Sequence, residues 1–215
     1  MTATLFETLQ RIVREELGRQ RTVELAVVQE QHPHAGDSDP DNYACTVVLR
    51  DSGLVLRQVP LATGRLGAVS VPAVGDLVLV QFVGGDVNAP VVTGSVYSDE
   101  ARPPRNADGQ AVLHLPLGAE DADAVHLEIS SGDRRELLLR LGEGLELRLQ
   151  DDDPVVQIDV GGGKATITVD RDGAVKLESK GKLAFEADAI EMKAKQIKLD
   201  ADSTLDLKGG TVNLN

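Results

Sequence analysis

Aromatic residues are scarce in this sequence. Among 215 residues there is no tryptophan, with two tyrosines and three phenylalanines, so large rings cannot dominate the interior as they do in most globular cores. The apolar fraction is nonetheless 41%, which is too high for a disordered chain. The apolar residues are therefore mainly Val, Leu, Ile and Ala, and their alternation is typical of sheets with thin, regular interiors.

Cysteine and long apolar runs are also scarce. Cys45 is the one cysteine, so no disulfide can form within the chain, and folding in a reducing compartment is expected. No apolar run in the sequence reaches the length of a transmembrane helix. The first 17 residues contain three glutamates where a signal peptide has an apolar core. We therefore expect a chain synthesised in the cytoplasm without a signal peptide.

Positive charge is in deficit. The chain has 22 Lys and Arg against 35 Asp and Glu, which gives a formal net charge of −13. Binding to nucleic acid depends on clustered cations, and single strands also need aromatic stacking platforms. Attraction to an anionic membrane surface needs cations as well. The composition argues against both kinds of partner.

The N-terminal residues predict a helix. Thr4 and Glu7 have the spacing of a capping box, and Gly18 follows the last apolar residue. We assign residues 1–19 to this helix and interpret its apolar stripe as a docking face. The stripe consists of Leu5, Leu9, Ile12, Val13 and Leu17.

From Arg21 the hydrophobic period changes to two. About five alternating segments lie between residues 23 and 97, separated by turns rich in Gly, Pro and Asp. Five strands in about 80 residues suit a small Greek-key barrel such as the OB-fold. We assign 20–105 to this domain. The stiff segment Arg102-Pro103-Pro104-Arg105 closes it, and 106–124 is assigned to a linker.

Residues 125–215 predict a repeat array. Short segments of the form apolar-x-apolar-x-apolar alternate with small polar turns. Each predicted strand offers two or three inward side chains, so the apolar face needs either coils stacked within one chain or three chains forming a triangular prism. The periodicity leaves both arrangements open. The later segments begin seven or eight residues apart, at Ile167, Val175, Leu183, Ile190, Ile197, Leu205 and Val212.

The stretch from 71 to 104 resembles the OB-fold of phage baseplate assembly protein V and the corresponding part of VgrG, which are central spike proteins of contractile injection systems. We interpret the matching residues as structural, because prolines begin or edge strands and Gly-Asp pairs form turns. The matching residues, here named the OB signature, are Pro72, Gly75, Asp76, Phe82, Asp86, Pro90 and Gly94, with Gly85 and Arg102-Pro103-Pro104 alongside.

This resemblance implies an all-β fold with an N-terminal helix, an OB-fold barrel and, over 125–215, an intertwined triple-stranded β-helix in a homotrimer. It implies a structural central spike that pierces the target envelope on sheath contraction and contacts the target membrane only on puncture. The expected location is a phage tail, a tail-like particle or an injection-system baseplate. The hub domain that precedes the OB-fold in VgrG is missing, so a separate baseplate hub protein is implied.

The C-terminal tail lacks a histidine pair. Some family members hold an iron ion at the needle tip through such a pair, but here no histidine follows His126. We therefore expect no metal and no cofactor. The resemblance instead implies a blunt end capped by a PAAR-type tip protein, with Val212, Leu214 and Asn215 at the contact.

Other candidate sites have simpler interpretations. His32-Pro33-His34 lies in a polar loop and is interpreted as solvated, and Asp151–Asp153 lacks the ligand spacing of an EF-hand. Gly161–Lys164 lacks the spacing of a P-loop, and the sequence contains no Gly-x-Ser-x-Gly. We therefore expect no catalytic residue and no enzyme. Two alternatives stay open: a trimeric fibre or adhesin that binds a surface receptor, and an OB-fold protein that binds nucleic acid.

Overall fold

The computed structural model describes residues 5–19 and 21–213. In this part of the chain, one α-helix precedes twelve β-strands that form two antiparallel sheets. The elements are α1 (Leu5–Arg19), β1 (Val23–His32), β2 (Ala44–Leu49), β3 (Val55–Pro60), β4 (Leu77–Phe82), β5 (Pro90–Val96), β6 (Gln110–Leu115), β7 (Val125–Ser131), β8 (Arg135–Leu141), β9 (Leu145–Gln150), β10 (Val156–Val160), β11 (Ala165–Val169) and β12 (Val175–Ser179).

The first sheet is a closed five-stranded barrel. Its strand order is β3-β2-β1-β4-β5, with antiparallel neighbours throughout. A parallel bridge between Leu61 and Val92 joins its two edges, and the Ala62 N–H donates to the Val92 carbonyl at 2.8 Å. Closure removes the open edges that a five-stranded sheet would otherwise expose. The prediction of an OB-fold barrel is confirmed.

The barrel holds the main hydrophobic core. Alternate residues of each strand point inward, and most of them are valine, which fits a narrow interior. Register shifts in three strand pairs, as between Val28 and Glu30, bend the strands so that the barrel can close. The fully buried cluster is Ala26, Val28, Cys45, Val47, Leu49, Val59, Val78, Val80, Phe82 and Val92.

The second sheet is a seven-stranded meander. Strands β6 to β12 pair in chain order, each antiparallel to the next. The alternating segments predicted between 125 and 177 form β7 to β12. Strand β6 lies inside the segment 106–124 that was predicted as a linker, because Ala111, Leu113 and Leu115 alternate and pair across to β7.

Residues 180–213 contain no strand or helix within the chain, and all of them are exposed. The intertwined triple-stranded β-helix predicted over 125–215 is not confirmed. Between 125 and 179 the neighbouring strands belong to the same chain, because short turns reverse the direction after each strand.

Candidate functional site

One face of the meander is aliphatic. Antiparallel pairing places the apolar residues of successive strands opposite one another, so that three columns cross the whole sheet. We call these residues the aliphatic face. The columns are Leu115, Val125, Leu141, Leu145, Val160 and Ala165, ending at Ser179; Leu113, Leu127, Leu139, Leu147, Ile158, Ile167 and Leu177; and Ala111, Ile129, Leu137, Leu149, Val156, Val169 and Val175.

The aliphatic face is uncovered in the single chain. Leu113 and Leu115 are 48% and 51% exposed, and Val175 is 70% exposed, whereas the barrel core residues are at most 3% exposed. A contiguous apolar surface across seven strands is far larger than the scattered apolar residues of an ordinary protein surface. This face is therefore the strongest candidate for an assembly surface.

The opposite face of the meander is polar and internally paired. The Glu146 carboxylate accepts hydrogen bonds from Arg140 Nε and Arg148 Nη2, both at 2.9 Å, and Arg148 also lies 3.2 Å from Glu136. Burial raises the pKa of Glu146, but the two arginine hydrogen bonds outweigh it and hold the pKa below its ordinary value. The polar face is thus suited to contact with water, whereas the aliphatic face is suited to burial.

The C-terminal segment 180–213 continues the apolar pattern without burying it. It follows directly on β12, which is an edge strand of the sheet. Its apolar side chains are between 49% and 71% exposed, so they are largely uncovered by the part of the chain that the structure describes. They are Leu183, Phe185, Ile190, Met192, Ile197, Leu199, Leu205, Leu207 and Val212.

Helix α1 also presents an apolar stripe. Leu5 and Phe6 are 78% and 69% exposed, and Leu9, Ile12 and Val13 are about half exposed. The side chain of Leu17, which was assigned to the same stripe, lies outside the described residues. An amphipathic helix with this stripe exposed is suited to docking on another surface.

The first OB signature residues build the turn into β4. Asp76 caps this turn, because its Oδ2 accepts from the Ala73 N–H at 2.8 Å. Gly75 has a φ of 95° and donates its N–H to the Val28 carbonyl at 2.9 Å. The Pro72 carbonyl accepts from Gln31 Nε2 at 2.7 Å. These contacts fix the loop before β4 against β1.

The remaining OB signature residues shape the β4–β5 connection. Phe82 is buried in the barrel, and Pro90 begins β5 opposite it. Asp86 Oδ1 accepts from the backbone N–H of Asn88 at 2.9 Å, which holds the turn between the strands. Gly94 pairs with Leu79 beside the register shift of this strand pair.

The histidine and cysteine side chains of the barrel do not come together in one reactive site. His32 Nε2 lies 2.9 Å from the Thr46 hydroxyl of β2, and His34 Nδ1 lies 3.0 Å from the Asp41 carbonyl. Within residues 5–19 and 21–213, no group of three or more His, Cys, Asp or Glu side chains is arranged to hold a metal ion. Cys45 is fully buried, and burial raises the pKa of its thiol to about 11, which is the reverse of nucleophilic activation.

The predicted cap contact is described in part. Val212 is 49% exposed, whereas Leu214 and Asn215 lie outside the described residues. The helix that the structure describes is not long and apolar enough to span a bilayer.

Residues 51–97 match the family described as the type VI secretion system/phage-baseplate injector OB domain. This part of the barrel, from β3 to β5, is similar to an injector OB domain. The match covers β3, β4 and β5 and includes the OB signature residues from Pro72 to Gly94, whereas Arg102-Pro103-Pro104 lies beyond it, so the resemblance to baseplate protein V and VgrG-type proteins is confirmed. No curated protein matches the chain. This similarity supports a structural role in a baseplate or injection particle.

Strand β6, which adds Ala111, Leu113 and Leu115 to the aliphatic face, lies in a segment that the sequence predicts to be a linker. The alternation of Ala111, Val112, Leu113, His114 and Leu115 is a period-two signal that could have identified the strand. Strand β6 follows directly on the boundary segment with Pro103, Pro104 and Gly109, and this composition favours a linker.

Proposed function

We propose that three copies of this chain form the central spike of a contractile tail or injection system. In this assembly the injector OB barrels lie at the baseplate hub, and the C-terminal halves form a needle that pierces the target envelope when the sheath contracts. The observation that carries the proposal is the uncovered aliphatic face, which a chain of this family presents directly after its OB barrel.

Three copies satisfy the aliphatic face by forming a triangular prism. Each meander supplies one side, with its aliphatic columns inward and its Arg–Glu network outward. Seven strands spaced about 4.8 Å apart give a prism roughly 30 Å long. Side chains of intermediate size such as Leu, Ile and Val fill the interior without large rings.

The C-terminal segment extends the prism by a different arrangement. The free edge of β12 offers unpaired backbone groups, and the segments that follow keep the seven-to-eight-residue spacing. Strands of this segment from three chains can pair with one another in turn, which removes the open edges and covers the apolar side chains. Intertwining is therefore proposed for 180–215 rather than for the whole of 125–215.

The ends of the spike have separate partners in this proposal. The α1 stripe and the barrel attach to a baseplate hub protein, since the stripe has no cover in the described chain. A PAAR-type tip protein covers the blunt end formed near Val212, Leu214 and Asn215. The needle acts passively, and the target membrane is contacted only on puncture.

Light scattering of the full chain in native buffer tests the proposal. A trimer has a mass of about 69 kDa, three times the 22.9 kDa of one chain. A stable monomer or a dimer contradicts the proposal.

Two aspartate substitutions separate the faces of the meander. Leu139→Asp places a charge in the central aliphatic column, where it lacks a partner, so we expect monomers. Thr168→Asp places the same charge on the polar face beside Lys176, and the trimer should persist. Trimers in both variants would show that the aliphatic face is not the interface.

A further inference from the structure

Two histidines face each other across strands β6 and β7. His114 and His126 are directly paired in the register and lie on the polar face of the meander. Their Nδ1 atoms are 3.3 Å apart, and the rings meet edge to face with centroids 5.6 Å apart. The two Nδ1 atoms therefore lie close enough to share a bound ion.

The opposite nitrogen of each ring faces an acceptor. His114 Nε2 lies 2.9 Å from the Ala119 carbonyl, which can only accept, so this nitrogen carries a proton. His126 Nε2 lies 3.6 Å from Glu128 Oε2. The Glu128 carboxylate is held in place because its other oxygen accepts from Gln110 Nε2 at 2.8 Å and from the Ser130 hydroxyl at 2.9 Å.

When both histidines are uncharged, each tautomer of His126 places one of its lone pairs against another electron-rich atom. If His126 carries its proton on Nε2, then both Nδ1 atoms present lone pairs to each other at 3.3 Å. If His126 carries it on Nδ1, then this N–H can donate to His114 Nδ1, but the Nε2 lone pair of His126 faces the Glu128 carboxylate at 3.6 Å. A cation between the two Nδ1 atoms resolves the conflict, because both Nε2 atoms can then donate.

We propose that His114 Nδ1 and His126 Nδ1 bind a divalent transition-metal ion, with Zn²⁺ as the representative. Two nitrogens that bind one Zn²⁺ at 2.0–2.1 Å with tetrahedral angles are separated by about 3.3–3.4 Å, which is the observed spacing. His114 Nε2 has the outer hydrogen bond that metal-binding histidines ordinarily have, and the Glu128 carboxylate lies 3.6 Å from His126 Nε2, just beyond hydrogen-bond distance. Imidazole ligands favour Zn²⁺, Ni²⁺ and Cu²⁺ over Mg²⁺ and Ca²⁺.

The site has two protein ligands, and water completes its coordination. It lies on the polar face, away from the proposed trimer interface, and the His126 side chain is 15% exposed in the single chain. The site does not depend on the proposed function. In the other histidine pair, the rings contact other groups: His32 contacts the Thr46 hydroxyl and lies near the Asp41 carboxylate, and His34 contacts the Asp41 carbonyl.

Calorimetric titration of the full chain with Zn²⁺ tests the site. We expect one Zn²⁺ per chain, and no binding of Mg²⁺ under the same conditions. His114→Asn and His126→Asn should each abolish binding, while the double variant His32→Ala/His34→Ala serves as the matched control and should bind like the original chain.

A milder variant guards against loss of folding in the histidine variants. Glu128→Gln keeps the shape of the side chain but weakens the acceptor at His126 Nε2, so we expect Zn²⁺ affinity to fall about tenfold. Co²⁺ provides a second readout, since a tetrahedral site gives intense visible absorption that disappears in the same variants. Absence of Zn²⁺ binding to the folded chain overturns the proposal. Binding that persists in His126→Asn, or is lost in the control, also overturns it.

Discussion

At the residue scale, the two glycines of the β8–β9 turn differ in whether a side chain would fit in their place. Gly142 has a φ of 58°, and a Cβ at this position would lie 2.5 Å from the Ala122 carbonyl oxygen. Its N–H donates to the Ala124 carbonyl at 3.0 Å, which holds the β8–β9 turn against the segment before β7. Gly144, two residues on in the same turn, has open space around it.

We expect Gly142→Ala to destabilise the chain by about 2 kcal/mol or more, because it combines a left-handed backbone with a backbone clash. Gly144→Ala is the matched control and should change the free energy of unfolding by less than about 0.5 kcal/mol, as at ordinary surface positions. Chemical denaturation followed by circular dichroism measures both. Equal effects in the two variants would contradict this reading of the turn.

Cys45 supplies a second prediction at this scale. Burial raises the pKa of its thiol from 9.0 to about 11, so the native state keeps a proton that the unfolded state loses first. The contribution of this group to stability is therefore fully present below about pH 9 and is lost as the pH rises towards 11. We expect the free energy of unfolding to fall over this window.

The alkaline loss attributed to Cys45 is measured by denaturation at several pH values. Cys45→Ala removes the titrating group, so the difference between the two proteins should shrink between pH 9 and 11. A constant difference across that window would mean that the thiol does not titrate as expected. Native Cys45 should also resist a thiol reagent until denaturant is added, because it is fully buried.

At the element scale, the meander and the C-terminal segment differ in where their hydrogen bonds go. Strands β6 to β12 satisfy one another within the chain, whereas 180–213 contains no strand there. In the proposed spike, the backbone amides of this segment are paired with those of other copies. Its protection from solvent exchange therefore depends on assembly.

Hydrogen exchange measured by mass spectrometry tests this dependence. We expect 180–213 to be protected in the original chain and to exchange freely in Ile197→Asp, which places a charge among the apolar side chains of the segment. The barrel, residues 23–96, should keep its protection in both proteins. Free exchange of the segment in the original trimer would contradict its intertwining.

The elements show how far the sequence predicts the fold. The barrel strands follow from period-two alternation and from turns such as Gly75-Asp76, because both signals are local. The pairing of β6 to β12 within one chain does not follow, since the same repeat suits pairing within or between chains. The proximity of His114 and His126 depends on the register of β6 with β7, which no local spacing of these two residues expresses.

At the scale of the whole molecule, the barrel buries its apolar residues within the chain, whereas the C-terminal half leaves many of its apolar residues exposed. The barrel is closed by the Leu61–Val92 bridge and holds nearly all of the buried apolar residues. The meander exposes its aliphatic face, and the C-terminal segment exposes its apolar side chains. The stability of the second half is therefore tied to its partners in the proposed assembly.

We expect two thermal transitions as a result. The transition of the C-terminal half should shift to higher temperature as protein concentration rises, because association stabilises it by mass action. The barrel transition should not move, since its contacts lie within one chain. Scanning calorimetry at several concentrations measures both, and a single transition independent of concentration would contradict the division.

The closure of the barrel also has a consequence for the order of events during synthesis. Both strands joined by the Leu61–Val92 bridge leave the ribosome before the first residue of the meander does. A growing chain can therefore finish its barrel alone, whereas in the proposed spike its aliphatic face is covered only when two other copies arrive. Ribosomes that follow one another on a single messenger supply those copies nearby. In the proposed spike, the rate of translation thus sets how long the aliphatic face stays exposed to non-specific association with other proteins.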